Sequence, residues 1–358
     1  MKIAILVDRL ENFGGVEREI ITLAKYFNAD IYSGYYIKET TFNEFRDYNL
    51  VSFTRKRLRH GLNSLYIRFK FSNLKIAEDY DAYLFFGSHS LSVAKKYHPN
   101  IWYCNAPIRW LYDLYEDELK KRKFLKRHLF KIFAYFLRAE DQKCVRNVDK
   151  IIANSKNVQD RIKSFYGRES DVVYPPVDIK KFKFIEHGDF YLSTARLDPI
   201  KRVDLVVRAF QKMPNKKLIV AGGGPSYEEI KSLAKGYENI KVIGWVSSEK
   251  ELSELYGRCI ATIYVSYKED FGIIPLESMS SGKPCIGSND GGMKETIIHG
   301  KTGVLIEPTV ENIIKAVEWL TPERAKEMRK ACEERAKKFS EDKFIEGIKK
   351  AIDNLQNA

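Results

Sequence analysis

The chain repeats one pattern twice. Apolar runs alternate with amphipathic stretches from the first residues, stop at Tyr174-Pro175-Pro176, and then begin again. KIAILVD (Lys2–Asp8) has the makeup of a buried strand, and GGVEREIITLAKYF (Gly14–Phe27) then spaces Val16, Ile20, Leu23 and Phe27 along one helix face. ADIYSGYYI, DAYLFFGS, IWYCNAP and KIIANS read as further strands. After the prolines come the strand FYLSTARL, the helix KRVDLVVRAFQ, the strand and turn KLIVAGGGP, and the strand NIKVIGWV. The helix SEKELSELYGRC, the strand ATIYVSY, the helix PLESMSSG and the strand PCIGS follow. Parallel strands need a crossover, normally a helix lying on the sheet, so this alternation predicts parallel sheets covered on both faces. A proline pair continues neither helix nor sheet. The predicted fold class is therefore α/β, with two doubly wound Rossmann-like domains. The first spans 1–173 and the second 174–340, leaving a carboxy-terminal helix at 341–358. Ligands of such sheets bind beyond the carboxyl ends of the strands, which makes the cleft between the domains the expected site.

At 358 residues the chain exceeds one ordinary core. Its five cysteines are scattered without a C-x-x-C pair, as expected of reduced thiols in the cytoplasm. The opening residues read as a strand rather than a signal peptide, and no run approaches the roughly 18–20 apolar residues of a membrane span. The six histidines are dispersed, so no metal site is expected. Asp79-Tyr80-Asp81 has a metal-like spacing but sits just ahead of an apolar strand, where it reads as coincidence.

A net charge of +13 asks for an anionic partner. Leu119–Arg138 carries eight Lys/Arg and no acid, with Leu125, Leu129, Ile132, Phe133, Phe136 and Leu137 recurring among them. Arg55–Lys70 also interleaves charge with aromatics. Two readings stand for these segments. One is a helix with its apolar face in the core and its lysines in water. The other is a peripheral contact with an anionic membrane surface, attracted by about 1 kcal/mol per basic residue. No nucleic-acid-binding motif accompanies the charge.

Glycine turns follow strands at Gly14-Gly15 and Gly222-Gly223-Gly224, but neither forms G-x-G-x-x-G and no P-loop is present. YKEDFGIIPLESMSSG (Tyr267–Gly282) is more informative. Pro275 suits a first helical turn, where its missing N–H is no loss. The amides of Phe271, Gly272, Ile273 and Ile274 then lie at a helix start, an anion site suited to a diphosphate. Glu277 in the first turn and Glu269 on the loop either hold ligand hydroxyls or act as a dipole partner and a solvated loop residue. STARLDPIKRVD adds Arg196 at a strand end and Lys201 five residues on, a fork and a point charge for phosphate oxygens.

Taken in order, GGVER, GSHSLSVAKK, YCNAPIRWLYD, NSKNVQDRI, YPPVD, ARLDPIKRVD, AGGGP, GWVS, EDFGIIPLE and GKPCIGSNDGGMKE resemble glycosyltransferase family 4. These are retaining enzymes of the two-Rossmann "GT-B" architecture. The forms Y-C-x-x-P-x-R-x-x-Y-D and R-L-x-x-x-K-R-x-D are most similar to bacterial and archaeal mannosyltransferases that use GDP-mannose.

The resemblance implies a nucleotide-sugar donor, GDP-mannose favoured, with no separate cofactor and no metal, and a glycan or lipid-linked acceptor. It implies that Arg196 and Lys201 bind the diphosphate and Glu277 the ribose. Glu269 takes the sugar hydroxyls, helped by amides at Phe271–Ile274; backbone at Trp245-Val246 flanks the base, and Gly15 approaches the diphosphate. His89, Asn105, Arg109 and Asp113 line the acceptor side. Asn105 stands where relatives usually have histidine, and an asparagine carries no proton at neutral pH. It further implies that the final helix crosses back onto the amino-terminal domain. Two other functions fit the same residues: a nucleotide-sugar epimerase of the same fold, which needs no acceptor, and a non-catalytic nucleotide- or nucleic-acid-binding protein.

Overall fold

The computed structural model describes residues 1–54 and 62–357. These fall into two units, 1–175 with 344–358 and 176–343.

In the first unit, β1 (Ile3–Val7) pairs in parallel with β2 (Asp30–Ser33) on one side and β4 (Ala82–Phe86) on the other, joined to β2 by α1 (Gly15–Phe27). The full order is β3-β2-β1-β4-β5-β6-β7, with β3 (Leu50–Ser52), β5 (Asn100–Cys104), β6 (Lys150–Ala153) and β7 (Asp171–Val172). Alternate side chains of a strand leave by opposite faces. Ile3, Ile5 and Val7 accordingly join a core with Ile20 and Leu23 of α1, whereas Ala4 and Leu6 join another. The helices α2 (Leu62–Ser72), α4 (Phe124–Arg146) and α5 (Lys156–Tyr166) contribute Phe71, Val145 and Ile162 to that second core. α3 (Tyr115–Lys120) precedes α4. Of the basic stretch 55–70, residues 55–61 lie outside the described residues.

The second unit holds a six-stranded sheet in the order β10-β9-β8-β11-β12-β13. Its strands are β8 (Phe190–Ser193), β9 (Lys217–Val220), β10 (Ile240–Val242), β11 (Thr262–Tyr264), β12 (Cys285–Ser288) and β13 (Gly303–Ile306). The helices α6 (Val203–Gln211), α7 (Tyr227–Ala234), α8 (Glu249–Arg258), α9 (Ile274–Ser280) and α10 (Met293–Thr296) connect them, followed by α11 (Val310–Trp319) and α12 (Pro322–Lys337). Several helix starts are capped by side chains: Ser248 receives the Glu251 amide, Thr309 that of Asn312, and Thr321 that of Arg324. The final helix, α13 (Glu341–Gln356), packs Phe344, Ile348, Ala351 and Ile352 into the first unit's core. The ring of Phe344 meets Tyr103 edge-on at 5.5 Å.

Several strands are shorter than their apolar runs predict. ATIYVSY supplies only Thr262–Tyr264 to the sheet, yet Val265 and Ser266 remain buried. Apolar content reports burial, and these residues bury themselves in loops beyond the sheet edge. The larger correction concerns α4. Leu125, Leu129, Ile132, Phe133 and Phe136 are all exposed, while Ala134, Asp141, Cys144 and Val145 are buried. The core reading of that apolar face is overturned: the inner side of the helix carries Ala134, Cys144 and Val145 instead, with polar and aromatic contacts beside them. Arg122 lies over the Phe130 ring at 3.9 Å and Arg138 over Tyr115 at 4.2 Å, and Asp141 accepts hydrogen bonds from the Tyr112 and Tyr166 hydroxyls.

Candidate functional site

At the carboxyl edge of the second sheet, the loops after β8 and β11 leave adjacent parallel strands and meet. Pro199–Lys201 makes one 3-10 turn, and its backbone receives Tyr267 from the other loop, Tyr267 N–H donating to the Ile200 carbonyl at 2.9 Å. The turn aims Lys201 inward. Its ammonium donates to Glu269 Oε2 at 2.7 Å and to the Tyr264 hydroxyl at 2.8 Å, and that hydroxyl donates to the same carboxylate oxygen at 2.8 Å. Burial pushes the Glu269 carboxyl up; the neighbouring Lys201 charge and hydrogen bonds from Lys201, Ser266 and Tyr264 outweigh that and hold it below its ordinary value. Arg196 is exposed and has no ion-pair partner among the described residues.

The loop carrying Glu269 is fixed from behind by the turn after β12. Asp290 accepts the Lys268 amide at 2.9 Å, and Gly292 N–H donates to the Glu269 carbonyl at 3.0 Å. Gly291 has φ +56°, and a Cβ there would stand 2.1 Å from that carbonyl oxygen, so only glycine fits. The loop enters α9 with Pro275 in its first turn. Among the described residues, the amides of Gly272, Ile273 and Ile274 donate to no protein acceptor. Glu277 is buried and takes a 2.7 Å hydrogen bond from the Tyr256 hydroxyl, which also meets Thr194 at 2.7 Å. Thr194 and Arg196 leave the same strand end, so Glu277 is tied to the Arg196 loop through Tyr256.

Gly222-Gly223-Gly224 lies beside these groups for a packing reason. A Cβ on Gly222 would meet the Ala195 carbonyl at 2.2 Å, and Leu197 N–H donates to the Gly223 carbonyl. Trp245 is exposed beside Gly223, and Val246 is half-buried. A cavity of about 390 Å³ behind the Leu197–Leu205 segment is lined by Asp198, Arg202, Ser226 and Glu229, and holds none of the predicted ligand-binding side chains.

The first unit has its own polar edge, where β1, β4 and β5 end. Asp8 accepts backbone N–H bonds from Ser88, His89 and Ser90. Nδ1 of His89 is buried and has no partner among the described residues. Asn105 does not point a free amide outward: its Nδ2 donates to Glu19 Oε2 at 2.9 Å, and its Oδ1 accepts from Asn154 at 3.2 Å. Burial pushes the Glu19 carboxyl up to about 8, against the Asn105 hydrogen bond, with the nearby Glu17 charge adding to the rise. Arg109 and Asp113 pair with each other, Nη2 to Oδ2 at 2.9 Å, and Arg161 approaches the same carboxylate at 3.8 Å. Gly15 has open space where a Cβ would go.

The structure therefore brings Arg196, Lys201, Glu269 and the 271–274 amides, with Glu277 in the first turn of α9, to one sheet edge. The sequence reading missed Tyr264, Tyr256 and Asp290, which hold them, and Glu19, which holds Asn105. Gly291-Gly292 after a strand was the available signal for Asp290; buried tyrosines give none. Among the described residues no group of three His, Cys, Asp or Glu is placed to hold a metal ion, and no helix is long and apolar enough to cross a membrane.

Comparison with known proteins bears on both units. Residues 13–181 match the family model "Glycosyltransferase Family 4", and residues 176–339 match "Glycosyl transferases group 1". The alpha-1,3/1,6-mannosyltransferase ALG2 of Saccharomyces cerevisiae is 31% identical over 234 residues, covering 51% of this chain and 45% of that protein. The N-acetyl-alpha-D-glucosaminyl L-malate synthase of Bacillus anthracis is 29% identical over 170 residues, covering 46% and 44%. The chain thus spans about half the length of these curated relatives. The crystal structure of Anabaena Alr3699/HepE in complex with UDP and glucose superposes with a TM-score of 0.75 at 18% identity, covering 98% of this chain and 99% of that one. The fold is that of the two-Rossmann GT-B proteins.

Proposed function

Because the chain belongs to glycosyltransferase family 4, we propose that it transfers a hexose, with retention, from a nucleoside-diphosphate sugar to a hydroxyl of a glycan or lipid-linked acceptor. Mannose from GDP-mannose is the donor favoured. One observation carries the reading: an anchored ammonium, Lys201, stands on the loop beside the one bearing three amides, Gly272 to Ile274, that have no acceptor among the described residues, at a single sheet edge. Such an edge suits a diphosphate. ALG2, a mannosyltransferase by name, supports the choice of sugar. The relative named N-acetyl-alpha-D-glucosaminyl L-malate synthase makes N-acetylglucosamine its chief competitor.

In this reading the bond from the anomeric carbon to the diphosphate oxygen breaks with its electron pair going to the diphosphate. Arg196, Lys201 and the loop amides stabilise the charge that builds there, the electrostatic contribution that is usually largest. The acceptor oxygen bonds to the same carbon from the same face, and its proton passes to the departing phosphate oxygen. No side chain has to act as the base, which accommodates Asn105. Glu277 holds ribose hydroxyls and Glu269 the sugar's, each kept in place by its tyrosine. On the first unit the acceptor side is given to His89, Asn105, Arg109 and Asp113, the last two paired with each other and Asn105 held between Glu19 and Asn154.

A screen of GDP-mannose, UDP-glucose and UDP-N-acetylglucosamine for thermal stabilisation, followed by nucleotide release with and without added acceptor, tests the proposal. A ligand at a hundred times its dissociation constant adds about 2.7 kcal/mol. GDP-mannose should raise the melting temperature most, and release should require acceptor. Acceptor-independent conversion of the donor would mark an epimerase, and stabilisation without turnover a binding protein. Unchanged donor consumption in Arg196→Ala and Lys201→Ala sinks the site assignment.

A further inference from the structure

The first half of α4 presents its apolar side to solvent. Leu125, Leu129, Ile132, Phe133 and Phe136 follow at intervals of four, three, one and three residues, so they fall within one face of the helix. Leu125 is 72% exposed, Leu129 60%, Ile132 58% and Phe136 63%. Phe124 and Tyr135, also exposed, sit at the margin of this stripe. Apolar residues scattered singly on a surface need no explanation, but a contiguous stripe of this kind marks an interaction surface. The opposite side of the same half is already committed, with Phe130 stacked on Tyr115 at 5.8 Å and Ala134 buried. The helix cannot simply turn over to hide the stripe.

The charge around the stripe selects what covers it. Lys120 ends α3, Lys123 lies immediately before α4, and Lys126 and Lys131 lie on its flanks, all exposed; Lys121, also exposed, pairs with Glu118 at 2.7 Å. No acid occurs from Leu119 to Arg138. Self-association through a two-fold axis would set this basic rim against its own copy, like charge facing like. An anionic lipid leaflet meets the same rim with attraction and takes the stripe among its acyl chains, while Phe124 and Tyr135 suit the headgroup boundary. We propose that the outward face of α4, from Phe124 to Phe136, docks flat on an anionic lipid bilayer. This inference is independent of glycosyl transfer: vesicle binding without turnover removes the proposed function and leaves the docking surface standing.

Co-sedimentation of the full chain with vesicles of phosphatidylcholine alone and of phosphatidylcholine with phosphatidylglycerol tests it. The wild type should bind the anionic vesicles at least about tenfold more tightly than the neutral ones, and less so as salt rises. Leu129→Ser/Phe133→Ser should lose about tenfold or more in that binding. Lys123→Gln/Lys126→Gln/Lys131→Gln should lose binding at roughly fivefold per charge, and removes no apolar contact should the serine variant misfold. Tyr237→Ser, at an exposed aromatic of the second unit, should bind as the wild type does. Equal binding by the serine variant, or indifference to vesicle charge, overturns the proposal. So does a wild-type dimer that ignores vesicles and dissociates in the serine variant, which would make a second copy the occupant.

Discussion

Replacing Lys201 by alanine separates what this lysine does for the fold from what it does for a ligand. Its side chain is 23% exposed and that of Glu269 16%, so the pair is largely but not fully withdrawn from water. Removing one partner of a buried pair costs about 3–5 kcal/mol, because the remaining charge loses its compensation. With solvent still reaching both groups, Lys201→Ala should cost about 2–4 kcal/mol. For a unit of this size that lowers its melting temperature by roughly 5–15 °C. Turnover should fall about 10²–10³-fold through loss of charge stabilisation. Adding Glu269→Gln removes the stranded carboxylate and leaves the Tyr264 hydroxyl a neutral acceptor. The double variant should therefore recover most of the lost stability and none of the lost turnover. Scanning calorimetry and donor-nucleotide release on the wild type, both single variants and the double complete the cycle. Turnover returning together with stability would show that Lys201 serves only as a structural partner. A Lys201→Ala protein that melts like the wild type would show that the pair is not desolvated at all.

Glu19 gives the chain a pH signature of the opposite sign to that of Glu269. The unfolded chain releases this proton near the ordinary 4.5 and the folded chain only near 8, so between those values the folded state holds more protons. Stability from this residue is complete below that window and lost as pH rises through it, by at most about 5 kcal/mol. Glu19→Gln should flatten the decline of melting temperature between about pH 5 and 8, and an unaltered profile would refute the buried carboxyl. Glu269, held below its ordinary value, instead contributes stability that is present at neutral pH and lost as pH falls through its lowered value, an acid limb that Glu269→Gln should remove. Gly291→Ala forces a side chain onto the Glu269 carbonyl at positive φ; a loss of about 1–3 kcal/mol is expected, with donor affinity falling more than in Gly15→Ala, where the space is open. Phe344→Ala should cost about 3–5 kcal/mol in the first unit alone, seen as one calorimetric transition moving while the other stays.

The two-sheet plan was legible because each buried strand is an apolar run bounded by a turn, and because the proline pair marks the restart. The candidate donor edge was legible for the same reason that it can work: Arg196, Lys201, Glu269 and Glu277 sit just after strands, where a parallel sheet collects its loops. What holds them was not. Lys201 and Glu269 are 68 positions apart, and Glu19 and Asn105 are 86 apart; only the sheet order makes them neighbours. The amphipathic pattern of α4 was read correctly as a pattern, but periodicity names a face without saying what it faces. Ala134, Arg138, Asp141 and Val145 took the inner side, with Arg122 over the Phe130 ring, an arrangement invisible to a rule that assigns the most apolar side to the core.

The return of α13 to the first unit gives the two units different histories during synthesis. Residues 176–343 are contiguous and can complete their core as soon as they are made. The first unit emerges earlier yet waits, with the groove for Phe344, Ile348 and Ile352 unfilled, until the whole second unit has been translated. A released chain truncated after Ser340 should thus show a protease-resistant second unit and a protease-sensitive first one, although the first is the earlier to leave the ribosome.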